Sequence, residues 1–254
     1  MFDELQAHLA IDENAFALAY AGPGVRKLAR ASQDRVGDVG AYVDESLHEV
    51  RTVQAYGHED LDRAGFAERV EAAFATARRR IHQRALLVAA VIVLGLVFFA
   101  QGQFGDLRAF SIQPQNPAAL LGILTAPLLH GSIGHLAANA LSVLILGTLA
   151  GTVFPRATVR ALPLIWLGSG LGTWLIGTGG FHLGASGVTH GLGFLVFTLG
   201  VLRRDRPAIA AALIAFFFFG GMLMTVLPQE LGVSWEYHLS GALFGLIAGI
   251  VWRR

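Results

Sequence analysis

Four polar side chains in an otherwise apolar half of the chain have the chemical types that nucleophilic catalysis needs. They are a serine, an amide and two imidazoles, namely Ser186, Asn139, His135 and His238. A hydroxyl beside an imidazole can act as a nucleophile with its general base, and further donors can stabilise an oxyanion. Because burying such groups in hydrocarbon costs free energy, their combination indicates function.

The composition divides the chain into a charged part and an apolar part. Residues 1–84 contain 11 Lys and Arg with 14 Asp and Glu, whereas residues 85–254 contain only 8 Arg and 4 acidic residues. Long uncharged apolar stretches are typical of membrane helices. The chain has no cysteine, so disulfides are excluded. We therefore predict a cytoplasmic helical segment at residues 1–84 and a membrane domain at residues 85–254.

Six apolar stretches approach the ~20 residues that a helix needs to cross a bilayer. A further stretch, Ala118–Leu129, is too short to span and contains Pro127, which favours a re-entrant or interfacial segment. The sequence therefore predicts an all-α, polytopic membrane protein with a bundle of six transmembrane helices. The predicted spans are Ala85–Gln101, Ile133–Phe154, Val159–Gly177, Gly184–Leu202, Pro207–Leu227 and Tyr237–Trp252.

The arginine positions orient this bundle. Arginines precede span one, lie between spans two and three and between spans four and five, and follow span six, whereas Arg108 is the only basic residue of the other loops. The positive-inside rule then predicts that both termini are cytoplasmic, in a bacterial inner membrane. Spans two, four and six would begin at the outer face, which places Asn139, Ser186 and His238 within roughly 10 Å of that face.

The spacing of the polar residues and glycines supports one site. His135 and Asn139 are four positions apart and share a helix face. Gly184 and Gly187 flank Ser186 and permit a tight turn that exposes its side chain and N–H. Small residues in spans four and six would let the two helices approach closely enough to bring Ser186 and His238 together. For Gly245 and Gly249 we infer a role in helix packing only, and none in the site.

Each of these residues also has a purely structural explanation. A membrane histidine or asparagine is often an interhelical hydrogen-bonding group, and a membrane serine can bond to its own backbone. The combination of all four in one predicted layer favours function.

Three motifs in order along the chain resemble those of the rhomboid intramembrane serine proteases. The motifs are Gly184-Ala-Ser-Gly187, His130-x4-His135-x3-Asn139 and His238-x2-Gly241-x3-Gly245.

That resemblance implies a serine protease with a Ser-His dyad, no carboxylate in a third position and no metal or other cofactor. It implies single-span transmembrane proteins as substrates, cleaved within the lipid bilayer near its outer face. Ser186 would be the nucleophile and His238 its general base. His135, Asn139 and the Ser186 N–H would bind the oxyanion, with His130 nearby.

Two positions depart from well-known bacterial members of that family. The resemblance places the first loop of the family at Ala118–Leu129. Within it, Leu121-Gly122 replaces a Trp-Arg pair. His190 occupies a position that is often an aromatic stacked on the base histidine. An imidazole can also stack or hydrogen-bond, so a role for His190 as an extra site residue stays open.

The N-terminal segment has no comparable site. Two apolar stripes at helical spacing, Val36–Val53 and Leu61–Ala77, predict two amphipathic helices around a turn at Gly57. Residues 26–59 resemble a cytoplasmic loop and coupling helix of ABC exporters, with a similarity that extends toward Leu94. No phosphate-binding loop occurs, so we expect no nucleotide and no transport. Nothing in the sequence points to nucleic acid.

Two other functions are compatible with parts of this pattern. A catalytically inactive rhomboid-like protein would bind or escort membrane clients, but such proteins are expected to lose Ser186 or His238. A metalloprotease or metal carrier would use His130, His135 and His238. No His-Glu-x-x-His motif supports a metal, and we give this alternative little weight.

Overall fold

The structure is a computed structural model that describes residues 23–105, 107–228 and 232–253. The first 22 residues of the predicted cytoplasmic segment therefore lie outside the described residues. So does Arg254, one of the arginines that orient the predicted bundle. Every regular element in the described ranges is helical. The chain divides into two compact units, with the boundary in the sequence between Ala85 and Leu86.

The first unit contains helix α1 (Pro23–His48), the short helix α2 (Val50–Ala55) and the beginning of α3 (Glu59–Phe104). The predicted turn at Gly57 is confirmed, and its φ of +63° explains why a glycine stands there. The first predicted helix is divided at Glu49 into α1 and α2.

Polar contacts join α1 to α3 within this unit. The Tyr42 hydroxyl donates to the Asp62 carboxylate at 2.8 Å, and the Ser46 hydroxyl donates to the same oxygen at 2.7 Å. Much of the predicted apolar stripe is nevertheless exposed, including Val36 and Leu61. The two helices are therefore held by polar contacts on one side and leave apolar side chains uncovered within their own unit.

The second unit begins within α3 and contains the remaining helices. They are α4 (Gly122–Thr125), α5 (Ile133–Val153), α6 (Pro155–Ile176), α7 (Ser186–Arg203), α8 (Arg206–Phe219), α9 (Met222–Thr225) and α10 (Trp235–Val251).

The six-span prediction is not confirmed. Within the described residues, four helical stretches are long and apolar enough to cross a membrane: Ile81–Phe104, α5, α6 and α7. The predicted fifth span, Pro207–Leu227, is divided at Gly220 and Gly221 into α8 and α9. Helix α8 has 14 residues and α10 has 17, and 14 residues cover only about 21 Å of a ~30 Å hydrocarbon core.

Helix α7 lies at the centre of the second unit and packs against α5, α6, α8 and α10. Glycines allow its closest approach, which is to α10. A β-carbon at Gly241 would collide with the carbonyl of Gly187, and one at Gly245 would collide with the carbonyl of Gly191. Both sequence numbers increase together along this interface, so the two helices run parallel. Ser186 and His238 therefore lie at the same end of the bundle.

The segment between α3 and α5 consists of short turns, which confirms that Ala118–Leu129 is not one spanning helix. Its helical turns are Arg108–Phe110, Pro117–Ala119, Gly122–Thr125 and Ala126–Leu128. A β-carbon at Gly122 would overlap the Ser111 carbonyl. This close packing requires a glycine at one of the two positions where the sequence departs from the rhomboid pattern.

Candidate active site

Ser186 is the first residue of α7 and is buried. The predicted helix start at Gly184 is two residues early, because Gly184 has a φ of +109°, outside the helical region. The Gly184 N–H donates to the carbonyl of Ala126 at 2.9 Å. The backbone N–H at the first position of a helix has no partner within that helix, and it lies at the positive end of the helix dipole. The Ser186 N–H is therefore suited to stabilise negative charge.

His238 lies in the first turn of α10, and its ring is fixed from two sides. Its Nδ1 is 3.1 Å from the carbonyl oxygen of Thr225. Its ring stacks on that of His190, with centroids 4.0 Å apart and planes at 9°. A carbonyl oxygen can only accept, so Nδ1 carries the proton of a neutral ring and Nε2 is left with a free lone pair. His238 is thus in the tautomer that a general base requires.

His190 joins the Ser186 segment to His238, which gives the position left open by the sequence a definite structural place. Its Nδ1 is 2.7 Å from the Ser186 carbonyl oxygen, and its Nε2 is 2.8 Å from the Thr225 hydroxyl oxygen. Thr225 therefore contacts both imidazoles. The sequence argument missed Thr225, whose only signal is a hydroxyl in the apolar run Met222–Leu227.

His135 and Asn139 lie beside the turn that precedes Ser186. A β-carbon built on Gly184 would stand 2.5 Å from Cε1 of His135 and 3.4 Å from Nδ2 of Asn139. The Asn139 amide donates to the carbonyl of His135 at 3.1 Å, which fixes its orientation. The Ser132 hydroxyl accepts from the His135 N–H and caps α5. The polar start of α5 therefore meets the start of α7.

His130 is buried behind His135, with the two rings in a T-shaped contact at 5.2 Å. The pKa of His130 is lowered to about 4, mainly by burial and also by the neighbouring His135. The hydrogen bond to the Leu128 carbonyl raises the pKa in part. Gln101, another residue that the sequence argument missed, pairs with the backbone of His130 in both directions, at 3.2 Å and 3.0 Å. This pair connects the end of α3 to the segment before α5.

A second polar cluster ties the segment before Ser186 to the start of α10. His182 is buried, and its Nδ1 is 3.0 Å from the Ser234 hydroxyl. The Glu236 carboxylate accepts from the backbone N–H of Thr178 at 3.0 Å. Burial lowers the pKa of His182, while the nearby Glu236 carboxylate and the Gly179 carbonyl raise it. These contacts hold the elements that carry Ser186 and His238 in a fixed relation.

The structure thus brings all eight residues of the predicted site to one end of the bundle: Ser186, His238, His135, Asn139, His130, His190, Gly184 and Gly187. Among the described residues, Ser186 Oγ makes no hydrogen bond to His238, a gap that is common in enzymes without substrate. Within the same part of the chain, no group of three or more His, Cys, Asp or Glu side chains could hold a metal ion.

Comparison with known proteins gives two findings. The family model "Rhomboid domain" matches residues 117–254. Uncharacterized proteins of Mycobacterium tuberculosis and Mycobacterium bovis are each 40% identical to the chain over 146 residues, or 54% of the chain and 61% of the relative. One of Mycobacterium leprae is 36% identical over 139 residues, or 51% of the chain and 55% of the relative.

The chain thus spans about three fifths of the length of the curated relatives that it matches. The comparisons do not support the predicted similarity of residues 26–94 to ABC exporters. Amphipathic spacing and scattered charges occur in many cytoplasmic helices, so they were insufficient evidence for that similarity.

Proposed function

Because the chain belongs to the rhomboid family, we propose that this integral membrane protein is an intramembrane serine protease. Ser186 is its nucleophile and His238 its general base. The observation that carries the proposal is the fixed tautomer of His238, whose Nδ1 bonds to the Thr225 carbonyl, at the same end of the bundle as Ser186.

Acylation follows from these positions. The Ser186 Oγ attacks the scissile carbonyl carbon, and Nε2 of His238 takes the hydroxyl proton as the C–O bond forms. The C–N bond then breaks, and His238 returns the proton to the leaving amine. A water molecule, deprotonated by the same Nε2, hydrolyses the acyl-enzyme and restores the serine.

The oxyanion that forms during attack has donors on two helices. The Ser186 N–H lies at the N-terminus of α7, while His135 and the Asn139 amide lie at the start of α5, next to Gly184. Removing one donor of this kind typically lowers the rate by about 100- to 1000-fold. Asn139 has a second amide hydrogen besides the one given to the His135 carbonyl, and this hydrogen is available to substrate.

The proposed position of the site within the bilayer supports one class of substrate. A transmembrane helix hides its carbonyls in its own hydrogen bonds, so a cleavable segment must unwind. We propose single-span membrane proteins with helix-weakening residues near the outer face as substrates. The arginine distribution supports cytoplasmic termini, with the site near the outer face. A bacterial inner membrane is proposed because the matched relatives are mycobacterial.

The proposal is tested by reconstituting the protein in lipid vesicles with a single-span protein that carries Gly and Pro near one end of its span. We expect cleavage by the wild type and none by Ser186→Ala or His238→Ala. Ser142→Ala is the matched control, because Ser142 is half-buried on α5 and its hydroxyl donates to the carbonyl of Ala138.

Cleavage by Ser186→Ala equal to that of the wild type would refute the serine mechanism. Loss of cleavage with a chelator would favour a metal. If the wild type binds the single-span protein stably but neither it nor any variant cleaves it, the inactive, client-binding alternative is favoured.

A further inference from the structure

Thr225 contacts two imidazoles of the site, those of His190 and His238, with polar atoms. It is the last residue of α9, and its carbonyl oxygen lies 3.1 Å from His238 Nδ1. Its hydroxyl oxygen lies 2.8 Å from His190 Nε2 and 3.0 Å from the carbonyl oxygen of Met222. The backbone and the side chain of one residue therefore hold two different rings.

Counting protons shows what the hydroxyl must do. His190 Nδ1 must donate to the Ser186 carbonyl at 2.7 Å, because a carbonyl only accepts. A neutral imidazole has one N–H, so His190 Nε2 must then accept a hydrogen bond. The Thr225 hydroxyl is the donor placed to provide it. The hydroxyl has a single proton, so when that proton points at His190 it is not donated to the Met222 carbonyl, which lies 3.0 Å from the same oxygen.

The charge that forms during catalysis makes this donor important. His238 becomes positively charged when it takes the proton of Ser186, and His190 lies parallel to it at 4.0 Å. Two stacked imidazolium rings would repel each other strongly away from water. His190 must therefore stay neutral in that step, and a neutral His190 needs the Thr225 hydroxyl to satisfy Nε2.

We propose that Thr225 is a positioning residue that keeps His190 neutral and in one orientation beneath the base His238. The inference rests on the proposed serine mechanism and adds a residue that acts through His190. The backbone carbonyl of Thr225 fixes the tautomer of the base, and the hydroxyl fixes the ring on which the base stacks. Both functions depend on where α9 ends.

The test compares vesicle cleavage kinetics of Thr225→Val with those of Thr225→Ser. Valine has the shape of threonine without its hydroxyl and keeps the backbone carbonyl. We expect kcat of Thr225→Val to fall about tenfold, because the buried acceptor His190 Nε2 loses its donor. KM should change less than about twofold. Thr225→Ser should retain near wild-type kcat. Thr158→Val is the control, since that buried hydroxyl bonds to the Phe154 carbonyl at the other end of the bundle.

A double-mutant cycle shows whether Thr225 acts through His190. His190→Phe keeps a stacking ring but removes both nitrogens, so adding Thr225→Val to it should cause no further loss. This inference is wrong if Thr225→Val lowers kcat equally in the wild type and in His190→Phe. It is also wrong if Thr225→Val keeps the wild-type kcat while Ser186→Ala is inactive. Either result would leave the proposed function standing. Cleavage by Ser186→Ala would overturn both.

The folding of the variants is also decisive. If neither Thr225→Val nor Thr225→Ala accumulates as a folded, monodisperse protein while Thr225→Ser does, the hydroxyl has a structural role and the proposal is wrong.

Discussion

His130 and His182 are buried imidazoles outside the predicted spans, and both have pKa values below the ordinary range. In the unfolded chain each would bind a proton at higher pH than in the folded protein. The free energy of unfolding therefore falls as the pH drops through this interval. Single side chains thus make the fold sensitive to acid, independently of catalysis.

For His130 the interval runs from about pH 6.5 down to about 4. We expect the wild type to lose stability steadily over that range, and His130→Gln to lose less of it because the amide does not titrate. Thermal unfolding in detergent at several pH values measures this. His48→Gln, which replaces an exposed histidine of the first unit, is the control. Parallel pH curves for the wild type and His130→Gln would contradict the assignment.

Gly184 is expected to be essential because it combines a positive φ with contact to His135. In Gly184→Ala the new β-carbon would push the His135 ring away from the turn. We predict at least an approximately 100-fold lower cleavage rate, the scale of losing an oxyanion donor. Gly180→Ala is a matched control, since Gly180 also has a positive φ, +79°, but has nothing within 4 Å of the added carbon. Equal loss in both variants would attribute the effect to backbone strain alone.

How far these residues could be predicted depends on what marks them in the sequence. Ser186, His238, His135 and Asn139 are conspicuous because polar groups are rare in apolar spans. Thr225 and Gln101 are not conspicuous in the sequence, because the residues that they contact, His238 and His130, are distant along the chain. Only the three-dimensional path of the chain brings such atoms together.

At the scale of elements, the parallel pair α7 and α10 determines the relation between Ser186 and His238, the proposed nucleophile and base. Their approach depends on glycines facing backbone carbonyls, as at Gly241 against Gly187. The sequence spacing predicted this approach correctly, since rows of small residues have few other uses between membrane helices. It did not predict where α8 ends, because the apolar run continues beyond Gly220 and Gly221 without a polar boundary.

Gly241→Ala should separate the two helices and destabilise the protein by about 1–3 kcal/mol, the usual cost of overpacking. Gly95→Ala, on α3, adds the same methyl group where nothing lies within 4 Å, and should be neutral or stabilising by up to about 1 kcal/mol. Unfolding in mixed detergent micelles compares the two. Equal stability of both variants would show that the Gly241 contact does not limit helix packing.

At the scale of the whole molecule, the orientation of the chain in the bilayer is still a prediction from arginine placement. The sequence indicated a membrane protein because apolar composition is a global property that needs no tertiary information. It overestimated the length of the fifth span, predicted as Pro207–Leu227, because α8 ends at Phe219 after 14 residues. The sixth predicted span, Tyr237–Trp252, agrees with the 17-residue helix α10 to within two residues at each end. Short helices can still cross where neighbours or a thinner bilayer accommodate them.

The absence of native cysteine allows this orientation to be measured with single labels. Val233→Cys lies in the exposed segment before α10, and Arg156→Cys lies at the exposed start of α6. We expect a membrane-impermeant maleimide to label Val233→Cys in spheroplasts and to label Arg156→Cys only after lysis. The reverse pattern would place the candidate site at the cytoplasmic face.

The central claim is that Ser186 is an activated nucleophile, and its covalent modification tests this most directly. The purified protein is treated with a fluorophosphonate, and the modified residue is located by mass spectrometry. We expect modification at Ser186 in the wild type, none in Ser186→Ala, and strongly reduced modification in His238→Ala. Equal modification of all three proteins, or modification of another serine, would contradict it.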